Sequence, residues 1–140
     1  MKYSKKGLLA LNPPQRAAAE QVNGPVLILA GAGTGKTRVI TTRIAGMVYD
    51  GIPPEHILAV TFTNKAASEM RERVGTMIDP EVAERLTIST FHSLCVRILR
   101  TCIERLGYKK SFSIYTQSDQ IGLLKRIIVR KIGKDESLEP

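Results

Sequence analysis

Apolar positions in this chain alternate between short continuous runs and helical stripes. Val26 to Ala30 is an unbroken apolar run that ends in a Gly-rich turn, the pattern of a strand buried on both faces. Ile57 to Phe62 and Leu86 to Thr90 read as the next two strands, and each of the three leads into a segment of helical period. The first is followed by a helix that buries Ile40, Ile44, Met47 and Val48 and ends at Gly51-Ile52-Pro53-Pro54. The second leads into Lys65 to Met77, with Ala66, Met70, Val74 and Met77 on one stripe. In the third, Phe91, Leu94, Cys95, Ile98, Leu99, Cys102, Ile103 and Leu106 hold a wide apolar face over about four turns. Another helix opens the series: Asn12 is its N-cap, Pro13 its first residue and Gln15 a capping-box partner, and it stops before Gly24-Pro25. Strands alternating with helices of this length predict βαβ units and a parallel α/β sheet with flanking helices.

The character changes after Gly107. Ser111 to Tyr115 reads as a short strand. Ser118 to Ile132 reads as a basic amphipathic helix with Ile121, Leu124, Ile128 and Ile132 turned inward, and Lys134 to Pro140 as a disordered polar end. A boundary near residues 107 to 112 makes 1–110 the main part of one domain and 111–140 the start of another.

At 140 residues the chain is long enough for one core, and its 43% hydrophobic and 24% charged residues are ordinary for a soluble protein. No apolar run approaches the roughly 20 residues of a membrane span. Leu8 to Leu11, cut off by Asn12-Pro13-Pro14, is too short for a secretory core, which points to the cytosol. The net charge of +8 makes nucleic acid the first partner to consider. Cys95 and Cys102 lie two helical turns apart, about 10 Å, too far for a disulfide. Without a His or a second Cys pair at ligand spacing they read as buried apolar side chains rather than metal ligands.

The strongest chemical signal is Ala30-Gly31-Ala32-Gly33-Thr34-Gly35-Lys36-Thr37. It fits the Walker A pattern G-x-x-x-x-G-K-[ST], with Ala30 in place of the first glycine. Glycines let the backbone curl so that successive N–H groups face phosphate oxygens, and the following helix adds its positive end. Lys36 supplies a cation between the β- and γ-phosphates, and the Thr37 hydroxyl supplies a ligand for Mg²⁺. ATP with Mg²⁺ is therefore the expected cofactor pair.

Taken in order, Leu11-Asn12-Pro13-Pro14-Gln15, the loop running into Arg38, Ala59-Val60-Thr61-Phe62-Thr63-Asn64-Lys65-Ala66-Ala67 and Ser89-Thr90-Phe91-His92-Ser93 resemble successive motifs of the UvrD/Rep/PcrA group of superfamily 1 DNA helicases. The resemblance runs from about residue 8 to residue 132. It implies a P-loop NTPase fold of RecA-like type, present here in part: the first portion of domain 1A and the opening of helical subdomain 1B, with 2A and 2B elsewhere. It also implies an ATP-dependent helicase that translocates 3′ to 5′ on single-stranded DNA in repair or replication. Gln15 matches the glutamine that pairs with the adenine edge, for which a carboxamide offers both donor and acceptor. Arg38 joins the nucleotide site on the same ground. Phe62 would lie against a base, Thr61, Thr63 and Asn64 would hold phosphates, and Thr90 and His92 would line the DNA channel. Read from the residues alone, Phe62 suits a strand core, Gln15 a helix cap and His92 a solvated helix face. Phe91 fits the apolar stripe as a core residue. Arg71, Arg73, Arg97 and Arg100 read as a soluble helix face.

Hydrolysis needs more than a cradle. It needs an acidic pair at a strand end and arginines that stabilise the transition state. No apolar run here is followed by Asp-Glu: the one such pair, Asp135-Glu136, lies in the polar tail, and Asp50 ends a helix. The resemblance puts those parts later in the sequence, so the chain alone is expected to be inactive. Two other readings fit a phosphate loop: a module that binds nucleotide or single-stranded DNA without turnover, and a small-molecule kinase. The kinase would need an arginine lid and an acceptor site that the sequence does not display.

Overall fold

The computed structural model describes residues 10–132. The elements in order are α1 (Pro13–Glu20), α2 (Lys36–Tyr49), a single 3₁₀ turn (Pro54–His56), β1 (Leu58–Thr61), α3 (Asn64–Gly75), α4 (Pro80–Glu84), β2 (Thr87–Thr90), α5 (Phe91–Cys102), a second 3₁₀ turn (Ile103–Leu106) and α6 (Gln117–Ile132). Two compact units divide this chain between Arg97 and Ile98, within α5 and ahead of the change in sequence character at Gly107. The polar end from Lys134 onward, including Asp135-Glu136, lies outside the described residues.

The first unit is mixed α/β. β1 and β2 pair in parallel, with Leu58 opposite Thr87 and Thr61 opposite Thr90. One face of the pair is dry: Ala59 and Ile88 pack with Met70 and Val74 of α3 and with Ile44 and Ala45 of α2. Val74 is fully buried at the centre of this cluster. The other face is bare, with Leu58 and Val60 exposed. A smaller cluster of Leu11, Ala19 and Val39 joins α1 to α2.

α1 begins as its sequence demands. The Gln15 amide donates to Asn12 Oδ1 at 3.0 Å, and the Asn12 amide donates to Gln15 Oε1 at 3.1 Å, which satisfies two orphan donors of the first turn. Arg43 then ties α2 to the end of α1, donating to the Ala18 carbonyl at 2.9 Å and, more loosely, to that of Val22 at 3.5 Å. Arg71 is also structural. Its guanidinium donates to the Ile88 carbonyl at 2.7 Å, on the side of β2 that lacks a partner strand.

Several sequence expectations are corrected. Val26 to Ala30 is not a strand: Leu27 and Leu29 are 83% and 86% exposed, and the segment has no partner strand among the described residues. Its composition suits an interior strand, but a parallel strand exists only where another strand accepts its hydrogen bonds. Ser111 to Tyr115 is likewise irregular. On α2 the buried apolar positions are Val39, Ile44 and Ala45, with Thr41 and Thr42 buried beside them; Ile40 is exposed, while Met47 and Val48 pack at the edge of the core. The stripe of α5 is apolar but unburied, with Phe91 63% exposed and both cysteines half-buried thiols. Leu94, Cys95, Leu99 and Cys102 are only half-buried, and of the stripe only Ile103, just past the helix, is buried.

In the second unit, Arg100 lies over the Phe112 ring at 5.2 Å from its centroid. Ile121, Leu124 and Ile128 of α6 are exposed rather than inward. α6 opens on a reciprocal cap: the Thr116 amide and hydroxyl donate to Asp119 Oδ2 at 2.9 and 2.7 Å, and the Asp119 amide donates to Thr116 Oγ1 at 3.2 Å. The Thr116 hydroxyl bond, followed by its amide bond, holds the Asp119 carboxyl below its ordinary value of 3.8. A depressed folded value means the cap stabilises the helix above the ordinary carboxylate range and is lost as pH falls through the depressed value. In an NMR titration Asp119 should therefore titrate below its ordinary midpoint, and Thr116→Val should bring that midpoint back up.

Candidate nucleotide and nucleic-acid site

The Walker A segment is curled. Gly33 and Gly35 have φ of +76° and +88°, a region that side chains disfavour, and they turn the chain into the start of α2 at Lys36. Among the described residues no non-glycine has positive φ, so Ala30 replaces glycine at the first loop position without backbone strain. Thr34 Oγ1 donates to the Gly31 carbonyl at 2.8 Å and closes the curl. Lys36 folds back over the loop, its Nζ donating to the Ala30 carbonyl at 2.9 Å and also to the Gly31 carbonyl. Among the described residues, the backbone amides of Ala32 to Thr37 have no protein acceptor. The result is a concave run of donors with an ammonium group beside it, the chemistry that receives a polyphosphate. Ala32 and Arg38 are exposed and Thr37 is half-buried in the first turn of α2.

Gln15 touches this loop. Its Nε2 donates to the Thr34 carbonyl at 3.0 Å while its Oε1 caps α1. The helix cap and the glycine loop thus share one carboxamide.

A second group gathers at the end of the sheet. Thr61 and Thr90 are register partners, so β1 and β2 leave the sheet side by side and enter α3 and α5. Each junction is capped by a threonine. Thr63 Oγ1 accepts from the Ala66 amide at 3.1 Å. Thr90 Oγ1 accepts from the Ser93 amide at 3.2 Å and bonds the Ser93 hydroxyl at 2.8 Å. Both fill the N-cap role, which leaves the first amides of each helix free to meet an anion. Thr61 Oγ1 donates to the Thr63 carbonyl at 3.0 Å.

Exposure separates the sequence candidates. The Phe62 ring is 90% exposed, so it has no place in the core. Asn64 and His92 are exposed in the first turns of α3 and α5. Thr90 is 6% exposed with its hydroxyl engaged in the cap, so its accessible contribution is the helix start it builds. Phe91 completes a pair the sequence reading missed. Thr61-Phe62 and Thr90-Phe91 are the same dipeptide at two adjacent strand ends, and both rings face water.

Residues 11–139 match the family described as the UvrD/REP helicase N-terminal domain. The chain belongs to this family. As a UvrD/REP N-terminal domain it is 48% identical over 142 residues to the ATP-dependent DNA helicase PcrA of Bacillus subtilis (strain 168), a match covering 100% of this chain and 18% of the relative. It is 49% identical over 131 residues to the ATP-dependent DNA helicase Rep of Escherichia coli (strain K12), covering 93% of the chain and 20% of the relative. A probable DNA helicase II homolog of Rickettsia felis (strain ATCC VR-1525 / URRWXCal2) is 51% identical over 124 residues, covering 86% and 18%. This UvrD/REP domain thus spans about a fifth of the length of these relatives. Among the described residues no group of His, Cys, Asp or Glu could hold a metal ion, and no helix is long and apolar enough to cross a membrane.

Proposed function

We propose that this chain is the ATP-binding amino-terminal part of an ATP-dependent DNA helicase that moves 3′ to 5′ along single-stranded DNA in repair or replication, in the cytosol. The first unit is read as part of a RecA-like domain 1A and residues after about 110 as the opening of subdomain 1B. The remaining 1B, 2A and 2B regions are supplied by the rest of the parent protein. The observation that carries the reading is the curled loop of residues 30–37 with its unpartnered amides and its lysine folded over them.

In this reading ATP lays its phosphates along the amides of Gly31 to Thr37. Lys36 exchanges the Ala30 and Gly31 carbonyls for β- and γ-phosphate oxygens. The Thr37 hydroxyl fits Mg²⁺, a hard cation that keeps most of its waters and takes few protein ligands. A bound Mg²⁺ would neutralise charge on the phosphates. Gln15 and Arg38 complete the nucleotide site, Gln15 through the adenine edge. At the sheet end, Phe62 stacks on a base, and Thr61, Thr63, Asn64, Thr90 and His92 form the phosphate-facing rim, where the free amides of two helix starts receive the backbone. Ligands of parallel α/β sheets collect at this end of the strands.

Titration with Mg-ATP tests the reading. Lys36→Ala removes a charge-assisted contact worth about 1.5–3 kcal/mol, so affinity should fall roughly 10- to 150-fold while oligo-dT affinity is unchanged. Equal ATP affinity in the variant and the parent chain would defeat it.

A further inference from the structure

We propose that Gln15 is a positioning residue for the phosphate loop, acting on the Thr34–Gly35 peptide whether or not a base is present. The inference rests on the phosphate-loop reading above and adds to it a role separate from adenine recognition.

The geometry is specific. Gln15 sits in the first turn of α1, fixed there from two sides: its own amide donates to Asn12 Oδ1 and its Oε1 accepts from the Asn12 amide. Arg43 anchors the far end of the same helix to α2. With the carboxamide oxygen held by the cap, the nitrogen has one direction left, and it points at the Thr34 carbonyl, 3.0 Å away and 19 residues along the chain. Among the described residues all peptide bonds are trans. In a planar trans peptide the N–H points opposite to the C=O. Holding the Thr34 carbonyl on Gln15 therefore aims the Gly35 amide away from α1, and that amide is one of those without a protein acceptor.

Gly35 fits this arrangement twice over. Its φ of +88° disfavours any side chain, and a Cβ built there would lie 3.3 Å from Gln15 Nε2, tighter than an ordinary contact. Gln15 thus packs against the loop at the residue whose amide it orients. A loop left to itself would sample several orientations of this peptide and lose entropy on meeting an anion. A loop tethered by Gln15 has already lost it. The carboxamide keeps one N–H and one lone pair for a base, so the tether and adenine recognition can operate together.

Inorganic tripolyphosphate with Mg²⁺ is the discriminating probe, because it has phosphates and no base. Isothermal titration of the 140-residue chain should show Gln15→Met weakening tripolyphosphate about two- to tenfold, the range of a single neutral hydrogen bond, and ATP by at least as much. Asn12→Ala, which weakens only the cap, should stay within about twofold for tripolyphosphate, on the same scale. In the ligand-free protein, Gln15→Met should also shift the NMR resonances of the Gly35 and Lys36 amides. Gln15→Glu keeps the acceptor that caps α1 and loses the donor. It carries the same comparison should the methionine variant fail to fold, with affinities taken at two salt concentrations to remove the effect of its charge. Parent-like tripolyphosphate binding in the variants, with ATP alone weakened, would overturn the inference and leave only base recognition. A parent chain that binds neither ATP nor tripolyphosphate would bring down the phosphate-loop reading itself.

Discussion

Given Mg-ATP and oligo-dT, the chain alone should bind nucleotide and hydrolyse it on the order of a thousandfold or more below a DNA-stimulated whole helicase. In the proposed reading the loop supplies a cradle for phosphates, a cation and a metal ligand, and these would hold the ground state. Turnover also requires a residue that positions the attacking water and arginines that meet charge developing in the transition state. An arginine of that kind alone is worth about 10³- to 10⁵-fold. Within residues 1–140 no apolar run leads into an acidic pair. Arg43 and Arg71, in α2 and α3, are committed to backbone carbonyls at Ala18 and Ile88. Neither can reach a γ-phosphate without giving up a structural bond. A single-turnover assay with radiolabelled ATP makes the measurement. A DNA-stimulated rate in the range of whole enzymes would mean that this chain holds a catalytic group the reading has missed.

What the sequence disclosed, and what it did not, follows from where each signal resides. Local chemistry was legible. Asn12, Pro13 and Gln15 specify a capping box through contacts within four residues, and that box is present. The helices after β1 and β2 begin where threonine caps place them. The loop's glycines announced its curl, since positive φ is a property of the residue itself. Burial was less legible because it depends on what else is present. Val26 to Ala30 has the composition of an interior strand, yet Leu27 and Leu29 face water, and the bare face of β1 carries Leu58 and Val60. The α5 stripe behaves in the same way. Its apolar face is real in the sequence, yet no residue of the helix is fully buried. A hydrophobic pattern states which side chains prefer a core. It cannot state whether the elements that would complete that core lie within the same 140 residues. The bond from Gln15 to Thr34 was invisible for a different reason: its partner is a backbone carbonyl, which leaves no trace in residue identity. The carbonyl bonds of Arg43 and Arg71 were invisible on the same account, and Arg71 reads in the sequence as part of a soluble helix face.

Replacing Phe62 with alanine should weaken oligo-dT binding about 5- to 150-fold, the equivalent of roughly 1–3 kcal/mol for one stacked base, and should leave the fold untouched. The two halves of that expectation have one cause. A phenylalanine that is 90% exposed contributes almost nothing to the core. Its removal should change stability by no more than about 0.5 kcal/mol, as at other surface sites, whereas a buried phenylalanine would cost about 3–5 kcal/mol. The ring stands at the end of β1, directly after Thr61 and directly before the cap residue Thr63. A base stacked on it would bring its phosphates toward the free amides at the start of α3. Phe62→Trp should retain or strengthen binding, because stacking depends on an aromatic face rather than on a base-reading contact. The salt dependence of binding should keep its slope in both variants, since no charge is added or removed and the count of neutralised phosphates stays the same. Mg-ATP affinity should not move, as Phe62 lies at the end of β1, outside the loop of residues 30–37. A variant whose melting temperature drops steeply, or whose oligo-dT affinity equals that of the parent chain, would return Phe62 to the role of a structural side chain and take the DNA path away from this edge of the sheet.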